Sequence, residues 1–146
     1  MRYQIAGLGL ILIGCGHLSD IDGRLGKITS EFLADCHKYN NELCLIRFEK
    51  GISVGVAEQN SLDTETKRVL GVCERPTSEL ERRKVLIDEV AFTRDKMVFK
   101  TIVYHELFHC LVDRGHSTTG IMAPKLIYIS PENWKDMVRD EFEKAD

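Results

Sequence analysis

The chain has no apolar run approaching the roughly 20 residues that a membrane-spanning helix needs. Its longest, Ile5 to Ile13, is too short to cross a bilayer. No segment repeats and none is of low complexity, which excludes solenoid arrays and disordered linkers as the main architecture. Nor does any face carry charge of one sign: the net charge is −3 with acidic and basic residues interspersed, so nucleic acid finds no basic surface. What is present, 43% hydrophobic and 29% charged residues in a chain of 146, is the balance of one globular domain able to bury a core.

The most informative stretch is His105-Glu106-Leu107-Phe108-His109, which matches the H-E-x-x-H zinc signature. On a helix, residues i and i+4 share a face. Two imidazoles about 6 Å apart along the axis can both reach one metal at Zn–N distances of roughly 2.0–2.1 Å, while Glu106, about 100° around the helix, is placed to act as general base on a water there. The surroundings are helical. Asp95 to Val112 contains neither Pro nor Gly, and Val98, Ile102, His105, His109 and Val112 recur along one stripe. Asp95 is placed to cap the start, and Gly115 to end the helix through a positive φ.

Two histidines are too few for a catalytic zinc, which usually takes three protein ligands and keeps a position for water. His116, directly after Gly115, is the first candidate for the third, since a reversal at the glycine would return its side chain toward the metal. Glu132 and Glu141, on a later helix, are the alternative. Asp113 would share a nearly collinear row with both histidines and reads instead as a solvated carboxylate. Gly120 to Pro124 reads as a tight, partly apolar turn beneath the site, and Tyr128 beyond it as a packing residue.

These residues resemble the metzincins, zinc endopeptidases with H-E-x-x-H-x-x-G-x-x-H followed by a methionine turn, and especially small matrixin-like forms ending in Ile-Met-x-Pro. The resemblance covers His105 to Pro124. It implies His105, His109 and His116 as ligands of one catalytic zinc ion, Glu106 as general base and Met122 as the turn methionine. There are three departures. The third histidine lies seven residues after the second instead of six, Gly115 stands next to it, and Phe108 occupies a place that is often Gly in matrixins. The ligand scheme with Glu132 or Glu141 resembles that of the gluzincins and stays open beside it.

The remaining elements suit an α+β fold. A helix is expected from Ile28 to about Tyr39, then strands at Leu43 to Phe48, Ile52 to Ala57, Val69 to Cys73 and Val85 to Phe92, giving a mixed sheet of about four strands. The H-E-x-x-H helix follows. Ser130-Pro131-Glu132 opens a C-terminal helix with the apolar stripe Trp134, Met137, Val138 and Phe142. This order is similar to a small zincin, metzincin-like catalytic domain, although no strand is apparent before the first helix, between Cys15 and Lys27. In that family the substrate lies along a sheet edge, for which Val69 to Cys73 is the candidate.

At the N-terminus, Arg2 precedes the run Ile5 to Ile13, which has the length of an export-signal core. Leu12-Ile13-Gly14-Cys15 resembles a bacterial lipobox, whose cysteine becomes the acylated N-terminus. Residues 1–14 are thus expected to be a lipoprotein signal peptide, 15–27 a lipid anchor and tether starting at Cys15, and 28–146 the zinc metallopeptidase domain. The remaining cysteines, Cys36, Cys44, Cys73 and Cys110, are even in number and suit disulfides outside the cytoplasm, in any of three pairings. Cys110 cannot converge on a metal together with His105 and His109 from one helix.

The expectation is a lipid-anchored, monomeric metalloprotease of the bacterial cell envelope, without an inhibitory prosegment, whose partners are a peptide or protein substrate and the lipid membrane. The alternative is a non-catalytic zinc-binding or partner-binding envelope lipoprotein.

Overall fold

The computed structural model describes residues 19–78 and 81–145. The expected signal peptide and Cys15 lie outside them. Strand β1 spans Asp20–Ile21, helix α1 Gly26–Lys38, α2 Glu42–Glu49, β2 Ile52–Ala57, β3 Gly71–Glu74, β4 Arg83–Asp88, α3 Lys96–Leu107 and α4 Pro131–Glu143. The class is α+β, with a mixed sheet in the order β1-β2-β4-β3. β1, β2 and β4 run parallel, Val54 facing Val85 in register, and β3 pairs antiparallel with β4, Cys73 opposite Val85. β3 is therefore an edge. Among the described residues no helix is long and apolar enough to cross a membrane.

Several boundaries differ from the sequence reading. Leu43 to Phe48, expected as a strand, lies in α2. Asn41 accepts a hydrogen bond from the Cys44 amide at 2.9 Å, which caps the helix start, and the Cys36–Cys44 disulfide fixes α2 against α1. On this helix Leu43 and Ile46, three residues apart on one face, are 40% and 49% exposed, while Cys44 is buried. Residues 19–27, expected as tether, belong to the fold: the Arg24 backbone amide and guanidinium both donate to the Asp22 carboxylate, and this turn leads β1 into α1 with Leu25 fully buried. A short strand does precede the first helix. The run expected to continue to Phe92 stops at Asp88, whose carboxylate accepts from the Val90 amide and starts a 3-10 turn over Glu89–Thr93.

The core lies between the sheet and the helices. Phe32 of α1 meets Tyr104 and Phe108 edge-on, with ring centroids 5.0 Å away in each case, and Trp134 of α4 packs on Tyr104 at 4.8 Å. The Tyr104 hydroxyl donates to Asp35 at 2.8 Å, which satisfies the phenolic group of this aromatic cluster. α3 is thus held on one side by α1 and α4. On its other side a second disulfide, Cys73–Cys110, joins β3 to the turn that follows α3. Closing a separation of 37 residues against 8 for Cys36–Cys44, it restricts the unfolded chain more, by about 4 against about 2.5 kcal/mol on a loop-entropy basis.

Candidate metal centre

α3 begins where the sequence placed it. Asp95 caps it, accepting from the Met97 amide at 2.8 Å, and Ile102 is buried while His105 and His109 emerge half-buried on one side. The end differs. After Leu107 the chain widens into a π-helical turn over Phe108–Val112, and the reversal falls on Asp113, at φ 58°, instead of on Gly115. Asp113 is also more than a solvated carboxylate: Arg47 hydrogen-bonds to it, and Arg75 and Arg83 each approach within 3.8 Å. A π turn takes one residue more than an α turn, so the longer interval between His109 and His116 still returns His116 to the histidine face.

The structure brings His105, His109 and His116 together, their ligand nitrogens all within 4.8 Å of one another. Cys110 is committed to its disulfide, Glu132 is exposed at the start of α4, and Glu141 is buried in an ion pair with Arg114, so none of them belongs to the cluster. Ser130 stands at the N-cap of α4 with an extended backbone, yet its side chain makes no capping bond.

Two backbone carbonyls orient the helix-borne imidazoles. His105 Nδ1 lies 2.7 Å from the Ile121 oxygen and His109 Nδ1 2.6 Å from the Arg114 oxygen. A carbonyl only accepts, so both Nδ1 atoms carry the proton and donate it. The two Nε2 atoms, 3.0 Å apart, then face each other with bare lone pairs. Adding a proton between them is disfavoured. Burial above all pushes His105 down to about 4, and burial also lowers His109. Opposed lone pairs at this distance repel unless a cation sits among them, and 3.0 Å is near the roughly 3.3 Å edge of a tetrahedron with 2.0–2.1 Å Zn–N bonds. The three-histidine group fits a metal ion.

The segment after Asp113 closes under this cluster. The Ser117 amide donates to the Met122 carbonyl at 2.9 Å, which folds back the loop carrying His116. Met122 is fully buried, and Gly120 takes φ 77° with its Cα against Glu141: a Cβ there would lie 2.9 Å from Glu141 Oε1. Tyr128, read as a packing residue, is 63% exposed.

Glu106 lines a cleft of about 380 Å³ together with the three histidines. Residues of β3, an edge strand, line this cleft, as do Lys125, Leu126 and Ile127 of the segment that follows His116. Glu106 is only 8% exposed, and burial raises its carboxyl to about 7, against a smaller lowering by Lys67. Its side chain lies directly on β3: a Cβ at Gly71 would come within 2.7 Å of Glu106 Cγ. Gly71, the Ile121 and Arg114 carbonyls and the Arg114–Glu141 pair were not singled out from sequence. Of these only Gly71 left a trace there, as a glycine inside the otherwise apolar run Val69 to Cys73.

Comparisons with protein-family models, curated proteins and solved structures each find no match, so the reading of this site rests on the residues and their geometry alone.

Proposed function

We propose that the chain is a metzincin-like zinc endopeptidase, with His105, His109 and His116 holding the metal and Glu106 as general base. The observation that carries this reading is the pairing of two carbonyl-oriented imidazoles, bare Nε2 atoms facing, with a buried carboxyl on the adjacent cleft wall. Imidazole nitrogens suit zinc. Zinc bound there supplies Lewis acidity toward a scissile carbonyl and makes water a stronger acid. Glu106 takes the proton from the attacking water and delivers it to the leaving amine. Burial raises the Glu106 carboxyl, and a bound cation would draw it back toward the carboxylate form that accepts a proton. The β3 edge offers unpaired backbone groups to an extended peptide. Cys15 anchors the protein to a membrane in the bacterial envelope, which suits its two disulfides.

Metal analysis at neutral pH tests this, together with cleavage of an unfolded protein. The expected result is about one zinc per chain, lost in His116→Ala but kept in Glu106→Gln and Glu132→Ala, and cleavage lost in both His116→Ala and Glu106→Gln. A chain that binds no zinc would sink the enzyme reading. Zinc bound without cleavage of any substrate would leave the non-catalytic envelope protein.

A further inference from the structure

We propose that the cleft selects extended peptides bearing a carboxylate, held at its mouth by Lys67, Arg68 and Lys125. The catalytic consequence rests on the hydrolase reading above; the binding preference does not.

The charges lining the cleft are unevenly placed. Glu106 is the sole acidic residue among them, and it is buried against Gly71. The three cations are all exposed, in a chain whose net charge is −3. Lys67 and Arg68 come just before the edge strand β3, and Lys125 follows Pro124 in the segment after His116, so the one cleft carries cations from two separate segments of the chain. Among the described residues neither Lys67 nor Lys125 has an ion-pair partner, whereas Lys100 is paired with Glu31 at 2.7 Å and Arg47 with Asp113. Arg68 donates to the Asn60 side chain at 2.8 Å, a neutral partner that leaves its charge uncompensated. Lys67 is also a charge whose field reaches both Glu106 and His105 at the cleft floor.

Apart from these charges, the three histidines and Thr101, the lining is apolar residues and glycine. Leu126 and Ile127 are 45% and 38% exposed next to Lys125 in the chain, and Val72 of β3 lines the same cleft. An apolar trough with a cationic mouth favours a ligand with apolar side chains near the reacting bond and a negative charge near either end of the trough. A basic peptide would meet three like charges. The carboxylate could belong to an internal Asp or Glu or to a peptide C-terminus.

The test is fluorescence anisotropy of the full-length Glu106→Gln chain, with and without added zinc. The probes are labelled alanine-based peptides carrying two Glu, two Gln or two Lys at fixed positions, each with a free or an amidated C-terminus. Expected is tighter binding of the Glu peptide than the Lys peptide by at least about tenfold, a gap that shrinks in high salt. The order should invert in a Lys67→Glu, Lys125→Glu double variant, whose substituted positions are exposed and carry no fold. A preference seen only with free C-termini would identify the terminal carboxylate as the ligand. Equal binding of the three peptides, or binding of none, would overturn the proposal. Wild-type protein that selects acidic peptides yet cleaves none would refute the hydrolase reading and leave this one standing.

Discussion

Helix α3 and the irregular segment from Asp113 to Ile129 build one site by opposite means. α3 and the π turn that continues it deliver His105, Glu106 and His109 through helical periodicity, and the place of α3 in the core is fixed by aromatic contacts with α1 and α4. The segment has no periodicity. Its contributions are His116 and two carbonyl oxygens, and what fixes them is tertiary: the Ser117–Met122 backbone bond, the buried Arg114–Glu141 pair and the close approach of Gly120 to Glu141. The helix decides which side chains meet, and the segment decides which nitrogen each presents. A metal site needs both, because an imidazole in the wrong tautomer offers a proton where a lone pair is required.

Glu141 is the residue through which this division breaks most visibly. Its carboxylate is bonded by Arg114 at 2.8 Å and lies beneath Gly120, so it underpins the stretches that supply the Arg114 and Ile121 carbonyls. Glu141→Ala should destabilise the fold by about 3–5 kcal/mol, the usual cost of leaving one member of a buried pair alone. It should also weaken zinc binding by about 10- to 100-fold at a temperature where the variant remains folded. Urea unfolding and a competitive chelator titration measure the two effects. Glu132→Ala, exposed on the same helix, is the control and should stay within about 0.5 kcal/mol of the parent. Unaltered zinc affinity in Glu141→Ala would mean that the segment holds its carbonyls without this support.

The same contrast accounts for what could be read in the sequence. His105, Glu106 and His109 were legible because a helix turns spacing into geometry. α4 was legible through Pro131 and the stripe ending at Phe142, three of whose four residues are buried. The strand read at Leu43 to Phe48 failed because a short apolar run has no clear period. The informative residue was Asn41, an N-cap followed by Glu42 in the first turn. β1 has two residues and exists only by pairing with β2. The carbonyls of Ile121 and Arg114 leave no mark at all, since every residue has one.

On the helix side, Gly71→Ala sharpens the comparison with a smaller expected effect. No strained φ protects this position, and the obstacle is Glu106 Cγ at 2.7 Å from the added Cβ. Overpacking of this kind costs about 1–3 kcal/mol, and it should displace Glu106 while leaving the histidines in place. Zinc content should therefore be retained while cleavage falls. Combining it with Glu106→Ala removes the contact, so the double variant should be more stable than the sum of the single effects predicts. Strict additivity would show that β3 moves away instead.

The smallest effects concern the residue that turns the chain toward His116. A glycine directly before a ligand invites the reading that it supplies the left-handed turn, but Gly115 has no positive φ, and a Cβ there would meet nothing within 4 Å. Asp113 makes the turn, at φ 58°. Gly115→Ala should then be neutral or stabilising by about 0.4–1 kcal/mol, through loss of freedom in the unfolded chain. Asp113→Ala should cost roughly 1–2 kcal/mol of backbone strain, besides the loss of the Arg47 contact, and Asp113→Asn should recover most of the backbone part because Asn tolerates this conformation. Thermal unfolding of the three variants with zinc present separates these contributions. Destabilisation by Gly115→Ala exceeding that of Asp113→Ala would return the reversal to the glycine, and with it the shorter-looped geometry that the spacing of His109 and His116 argues against.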